Sequence, residues 1–364
     1  MKQRRCIFHY PHPIDENAAV GSAVRPLNML KAFRESGYIV EEVTGYGKER
    51  KKKINEIKVK IQNGVKYDFV YSESLSMPTL LSEKNHFPKY PFLDFGFLKF
   101  CRKQGTKVGL FYRDIYWKFP LYKESVSKWI PYITVPLFKY DLRKYEQVVD
   151  VLYVPSKPFM KYYPHEMNWK PLPSGGQYRI KRNEKMFLDS GKLSMFYVGG
   201  LVGLYDVTEL IKGVRALDNV ELMICCPENM WEANKVRFGH LMTENIHIVH
   251  GSGLELEKFY DKAHVTCLYL PNSEYRDMAM PVKLFEYIGY GKPVIANSGT
   301  AVADYIKEND IGWVIDYDHE QLVELLRRLA ENHEEVRQKT VNIQHAAEHN
   351  TWEARVKEII NDLT

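Results

Sequence analysis

Cysteine is scarce. Five residues, Cys6, Cys101, Cys225, Cys226 and Cys267, are odd in number and scattered, so they give no disulfide framework and no Cys-x-x-Cys metal spacing. A reducing cytoplasm is the simplest expected setting. Long apolar runs are also missing: nothing approaches the ~20 residues of a membrane span. The longest candidate, residues 129–138, is interrupted by Pro131 and Pro136. Residues 1–10 carry basic side chains but no apolar run of signal-peptide length. A net charge of only +5 gives no argument for nucleic acid. No solenoid repeat and no low-complexity tract occur. A soluble or peripheral globular protein is expected, and 364 residues suit two domains better than one core.

Aromatic residues are abundant, 25 of them tyrosine, which points to stacking or interfacial surfaces. Charge is uneven along the chain. Lys48, Arg50, Lys51, Lys52, Lys53, Lys58 and Lys60 crowd one short segment. This is either a solvated helix face or a contact with anionic lipid head groups.

The first half alternates strands and helices. A strand at residues 6–10 precedes a loop at 11–22, a helix from near Pro26 to the stop at Gly37, and a strand at 38–43. This βαβ unit is the repeating piece of a doubly wound sheet, whose ligands bind at the carboxyl ends of strands. Gly21, Ser22 and Arg25 lie at such an end; Gly21 lets a ligand or a facing domain approach, unless it serves the turn alone. A strand at 107–112 delivers Arg113 and Asp114 to another such end, either as functional groups or as an ion pair that fixes the loop. Residues 115–138, rich in Tyr, Trp, Phe and Pro, suit buried packing or an apolar surface dipping towards a membrane. A strand at 151–156 is expected to close the first sheet, and the Pro/Gly-rich residues 157–182 read as the interdomain linker.

A second α/β pattern begins with a strand at 194–198 that ends in Gly199-Gly200. Two glycines between strand and helix allow a phosphate near backbone N–H groups. The full dinucleotide fingerprint is absent, because the third glycine is not at its spacing. The segment at residues 280–296 is the most informative. Pro281 fits a first helical position, Gly291 fits a left-handed stop and Pro293 forbids resumption. Val294, Ile295 and Ala296 then read as a buried parallel strand. Lys283 and Glu286, three apart, share a helix face beside a helix N-terminus that favours anions. They are either a solvated surface pair or a nucleotide site, with phosphate at the positive end and ribose on the carboxylate.

These residues carry a resemblance. The order Gly199-Gly200, Pro281-Val282-Lys283-Leu284-Phe285-Glu286-Tyr287, Gly291-Lys292-Pro293-Val294-Ile295-Ala296 and Gly299-Thr300 resembles glycosyltransferases of the GT-B fold, most like the retaining family-4 group. The resemblance implies two Rossmann-like α/β domains facing each other across a cleft. An acceptor-side domain would span 1–172, with helix 350–364 packing back on it, and a donor domain 173–349. It implies a nucleotide sugar, UDP- or GDP-linked, as donor, a glycan or lipid-linked acceptor as in polysaccharide biosynthesis, and no metal or other cofactor. Glu286 would bind the donor ribose; Lys283, Gly199 and Gly200 would attend the diphosphate, and Gly299 and Thr300 would line the pocket. Asp114, with Arg113, would serve the transfer step. Gly21, Ser22 and Arg25 would lie on the acceptor side. The mechanism implied is front-face attack, the leaving phosphate taking the acceptor's proton.

Two departures from the family stand out. Met278 occupies the position of an earlier glutamate, and Gly200 and Tyr205 stand where many members carry a basic pair, so that Lys283, with Arg113, would have to supply charge. A catalytically silent GT-B subunit and a nucleotide-sugar epimerase of the same fold are the alternatives.

Overall fold

The computed structural model describes residues 3–15, 21–162, 167–180 and 191–364. The chain divides into two compact units, one of residues 1–174 with 352–364, the other of 175–351.

In the first unit the elements run β1 (Arg5–His9), α1 (Gly21–Glu35), β2 (Ile39–Val43), α2 (Gly47–Gln62), β3 (Phe69–Glu73), α3 (Leu93–Lys103), β4 (Lys107–Phe111), α4 (Pro120–Ser125), α5 (Ile130–Val148), β5 (Val151–Val154) and β6 (Trp169–Pro171). The strands form one parallel sheet in the order β2-β1-β3-β4-β5-β6. Its topological switch point therefore falls between β1 and β3. β3 is buried at every position, as a strand covered on both faces must be.

Three local expectations change. Helix α1 already begins at Gly21, so Gly21 and Ser22 are helical rather than loop, and Pro26 sits inside the helix; residues 16–20 of the expected loop lie outside the described residues. Trp169–Pro171 adds a sixth strand beside β5, so the first sheet does not close at 151–156 and three residues of the expected linker belong to it. Residues 163–166 and 181–182 of that stretch lie outside the described residues.

The second unit runs β7 (Leu193–Val198), α6 (Thr208–Arg215), β8 (Val220–Cys225), α7 (Glu228–Gly239), β9 (Ile246–Val249), α8 (Glu257–Lys262), β10 (Val265–Leu268), α9 (Val282–Gly289), β11 (Val294–Asn297), α10 (Ala301–Asn309), β12 (Gly312–Ile315), α11 (His319–Glu331) and α12 (His333–His349). Its parallel sheet has the order β12-β11-β10-β7-β8-β9. The chain lays strands to one side of β7 and then returns to the other, so the switch point lies between β7 and β10. Leu284, Phe285, Tyr287 and Ile288 of α9 are fully buried, each worth ~1.5–3 kcal/mol of apolar burial.

Gly176 and Gly289 explain how closely the start of this unit lies along α9. A Cβ on Gly176 would stand 2.1 Å from the Phe285 carbonyl oxygen, and one on Gly289 would stand 2.3 Å from that of Gln177. Arg179 N donates to Gly289 O at 2.8 Å in the same contact. Gly176 is therefore a packing residue of the second unit, not linker.

The last helix, α13 (Trp352–Leu363), belongs to the first unit and packs against α1 and β4. Tyr153 donates to Asp362 at 3.1 Å. No helix among the described residues is long and apolar enough to cross a membrane.

Candidate functional site

In the second unit Gly199-Gly200 and Gly299-Thr300 lie on the loops after β7 and β11, and Lys283 and Glu286 lie on α9, which follows β10. Gly199 and Gly200 follow β7 directly. A Cβ on Gly199 would lie 2.6 Å from the Tyr197 hydroxyl, and one on Gly200 would lie 2.9 Å from Tyr205 Cβ. Both positions therefore need glycine because tyrosines close over the turn. Tyr197 donates to Gly200 O at 2.7 Å and fixes it. Helix α6 beyond the loop is not open to a phosphate at its first amide, because Asp206 Oδ1 already accepts from Thr208 N at 2.8 Å. The anion-binding reading of this loop thus rests on the glycine turn rather than on α6.

Helix α9 is built differently. Pro281, extended at φ −69° and ψ 146°, stands just before the helix rather than at its first position, and no side chain bonds to the first amides. The far end closes as a left-handed stop: Gly291, at φ +67°, donates to Ile288 O at 2.9 Å, and Lys292 N to Tyr287 O at 3.0 Å. The free positive end of the helix dipole therefore lies at Pro281 and Val282, with Lys283 on the first turn.

Lys283 Nζ donates to Glu286 Oε2 at 2.7 Å, and Tyr260 donates to Oε1 at 3.0 Å. Both carboxylate oxygens are thus aimed by neighbours while the side chain stays about a quarter exposed, at 26%. Tyr260 lies against Tyr290 with ring centroids 3.9 Å apart and planes at 14°, and meets Phe196 edge-on. Burial first, then the Glu286 charge, pushes its pKa well above the ordinary tyrosine value, so it stays a donor. An isolated surface ion pair would not have a buried, stacked tyrosine orienting its acid. Tyr260 escaped sequence reasoning because nothing in its local sequence ties it to a residue 26 positions on.

Gly299 has φ +79°, a left-handed turn that favours glycine. The Thr300 hydroxyl caps α10, accepting from Ala303 N at 3.1 Å and donating to Asn297 O at 3.2 Å. Its hydroxyl is committed to the fold, leaving the loop backbone as what Gly299 and Thr300 offer. Ala301 N donates to Asp277 O at 2.8 Å, which ties α10 to the loop after β10. Met278 on that loop is buried at 1% exposure.

In the first unit, Arg113 and Asp114 follow β4. Asp114 Oδ1 accepts from Tyr116 N at 2.8 Å, and Arg113 N donates to Ser74 Oγ at 3.0 Å. The Arg113 guanidinium pairs with Glu73, not with Asp114 (Nη2–Oε2 3.2 Å). Glu73, fully buried at the end of β3, also takes Arg25 at 3.3 Å and the Tyr71 hydroxyl at 3.0 Å. Arg25 lies over the Phe111 ring at 3.5 Å and donates to Pro173 O at 3.1 Å. Arg25 is 3% exposed and shares Glu73 with Arg113, so it is turned inward rather than held out to solvent.

A network absent from the sequence reading joins the same strand ends. His9 Nδ1 meets Ser72 Oγ at 2.8 Å and its Nε2 meets Asp94 at 2.9 Å, while Arg50 forks onto Asp94 at 2.8 and 3.1 Å. The constellation looks like a nucleophilic triad, but His9, Ser72, Asp94 and Arg50 are all at most 3% exposed, so it serves to hold β1, α2 and α3 together. Burial opposes ionisation of Asp94, but the His9 hydrogen bond and the Arg50 charge outweigh it and hold the carboxyl below its ordinary value. Arg50 is thereby removed from the basic surface expected at residues 48–60. Lys53 and Lys60 pair with Glu56 and Glu41, and Lys58 lies over the Phe100 ring.

Five buried thiols stand free, with no disulfide. Cys225 and Cys226 are pushed up to about 11 by burial, so neither is a thiolate at neutral pH. The group among the described residues that could hold a metal ion is His345, Glu348 and His349, exposed on α12. That helix meets α9 at its Gly291 end through Gln344.

Residues 179–346 match the family model of glycosyl transferases group 1. No curated protein matches the chain in sequence. Among solved structures, the chain is similar to sucrose-phosphate synthase from Thermosynechococcus elongatus, with 12% identity over 98% of this chain and 97% of that one and a TM-score of 0.64. HepE from Anabaena, in complex with UDP, gives 10% identity over 99% of both chains and a TM-score of 0.65. WaaG, a glycosyltransferase involved in lipopolysaccharide biosynthesis, gives 16% identity over 99% of both and a TM-score of 0.60. These identities speak for the fold, which is the GT-B pair of Rossmann-like domains; the family match covers most of the second unit. Residues 179–346 thus resemble the group 1 glycosyl transferases, and the chain as a whole has the fold of GT-B glycosyltransferases.

Proposed function

We propose that this chain transfers a hexose-type sugar from a nucleoside diphosphate donor, UDP- or GDP-linked, to a glycan or lipid-linked acceptor. One observation carries the reading. At the switch point of the second sheet, an uncapped helix N-terminus stands beside a carboxylate aimed by Tyr260 and Lys283. Phosphate suits the first and ribose hydroxyls the second. Support comes from similar structures: HepE was solved with UDP-glucose, and a trehalose-6-phosphate protein from E. coli with UDP-2-fluoro glucose.

In this reading the transfer retains anomeric configuration and needs no divalent metal. Helix ends and cations stabilise the leaving diphosphate, which takes the acceptor's proton. Asp114 is assigned the transfer step, with Arg113 beside it, and the enzyme works in the cytoplasm. A silent subunit is the second reading, favoured by the buried Met278 where relatives carry an acid.

A thermal-shift screen of nucleotide sugars, followed by assay of slow hydrolysis of the best one, tests both. Binding with hydrolysis supports the transferase, and binding without any turnover supports the silent subunit. Glu286→Ala should abolish the shift, whereas Asp114→Asn should leave the shift and cut turnover. No shift with any nucleotide sugar would end both readings.

A further inference from the structure

The charge that faces the donor diphosphate has to come from somewhere. The glycine loop at residues 199–205 contains no lysine or arginine. Lys283 is already paired with Glu286 at 2.7 Å, and Arg113 with Glu73 at 3.2 Å. Lys283 therefore meets a ligand with its charge already engaged by Glu286.

Arg276, on the loop between β10 and α9, is in a different condition. Among the described residues no carboxylate lies within ion-pair distance of it, and its buried Nε has no hydrogen-bond partner. The backbone around it is fixed: Arg276 N donates to Ser273 O at 2.8 Å, and Ala279 N to Arg276 O at 3.1 Å. The guanidinium lies over the Tyr205 ring, 5.3 Å from its centre. Tyr205 is the residue packed against Gly200, and half of its surface remains exposed. The cation is thus held by a ring face at the glycine turn, an interaction that orients a guanidinium without neutralising it. Burial draws its pKa down, and the groups that act in the other direction are Tyr205, Tyr197, Tyr275 and Tyr317, with no acid among them.

A half-buried arginine with unspent donors and no counter-charge is costly alone and favourable once an anion arrives. We propose that Arg276 is the principal side-chain ligand of the donor's diphosphate in this protein, held for that task on the Tyr205 ring beside the Gly199-Gly200 turn. The fork geometry suits two phosphate oxygens at once. The proposal rests on the donor-binding reading above and names a residue that reading did not include.

The test is isothermal titration of the full chain with uridine, UMP and UDP, and with guanosine, GMP and GDP, for the native protein, Arg276→Gln, Arg276→Lys and Glu286→Gln. In the base series that binds, Arg276→Gln should lose about tenfold to a hundredfold in affinity for the diphosphate and less than about twofold for the nucleoside. Arg276→Lys should recover part of the loss, since it keeps charge without the fork. Glu286→Gln should weaken nucleoside and diphosphate alike. If Glu286→Gln behaves so while Arg276→Gln binds the diphosphate as the native protein does, the inference about Arg276 is wrong and the donor reading stands. If the native protein binds neither diphosphate, both fall. An unchanged unfolding midpoint in Arg276→Gln guards against loss by misfolding, and a parallel loss for nucleoside and diphosphate would also overturn the proposal.

Discussion

Replacing Asp141 by asparagine should flatten the dependence of stability on pH. Asp141 lies on α5, buried at 2% exposure. Its Oδ2 accepts from Thr79 N at 2.7 Å, and its Oδ1 is buried without a hydrogen-bond partner. Burial is the main force on it, the Thr79 hydrogen bonds oppose, the Asp94 charge adds to the burial, and the carboxyl is pushed up to about 7. In the unfolded chain an aspartate titrates near 3.9, at about 1.4 kcal/mol per pH unit of difference, so the gap amounts to something on the order of 4 kcal/mol. The sign follows from which state holds the proton. Between the two values the folded protein keeps it and the unfolded chain does not, so stability is fully present below about pH 4 and is lost as pH rises to about 7. Asparagine keeps the oxygen that Thr79 needs and cannot ionise. Its amide donor adds a cost at the partnerless position, but that cost is the same at every pH. Urea unfolding of both proteins, followed by circular dichroism at about pH 4 and about pH 8, separates the two effects. The variant should gain on the native protein by on the order of 4 kcal/mol between those conditions. Parallel pH profiles would refute the argument, because they would mean that Asp141 holds its proton no more tightly folded than unfolded.

Tyr260→Phe keeps the stack on Tyr290 and removes the hydroxyl that aims Glu286; nucleotide affinity by calorimetry should fall about three- to tenfold, with no change if the hydrogen bond plays no part. Gly289→Ala should destabilise the second unit by about 2 kcal/mol or more, since its Cβ meets the Gln177 carbonyl oxygen at 2.3 Å. Gly96→Ala on α3, where a Cβ meets nothing within 4 Å, should instead stabilise by about 0.5–1 kcal/mol in the same denaturation assay. If the chain touches membrane, the exposed Trp129, Ile130, Tyr132 and Ile133 at the start of α5 are better placed to do it than the basic helix α2. A Trp129→Ser/Tyr132→Ser double variant should then lose co-sedimentation with anionic vesicles, and equal sedimentation would discard the contact.

The parts of the molecule that were legible in the sequence are those whose signal is local. The stop at Gly291, the apolar strand after Pro293 and the Lys283–Glu286 spacing are set by neighbours within a turn or two, and the backbone follows them. The glycine pair after β7 was legible as a tight turn, but not the reason for it, since the tyrosines over it come from flanking positions that any loop could carry. Asp206 on the first amide of α6 was not foreseen, although an aspartate bonding the amide two residues on is an ordinary Asx turn. Long-range pairs left no trace. Arg50 reads as one more basic residue in a run of lysines, and only the fold reveals Asp94, 44 positions away, as its partner. Arg25 and Glu73 are hidden in the same way. Sequence periodicity says which face of an element is buried; it does not say which buried charges meet.

The return of α13 to the first unit has a consequence for how the protein is made. Residues 175–351 are contiguous and can complete their own core as soon as they leave the ribosome. Residues 1–174 emerge earlier yet lack the helix whose Leu363 lies against Gly109 and whose Asp362 takes the Tyr153 hydroxyl. The unit synthesised first is therefore finished second, reversing the usual N-to-C order of domain completion. Expressed as fragments, residues 175–351 are the separable piece, and residues 1–174 remain dependent on a segment encoded some 180 codons downstream.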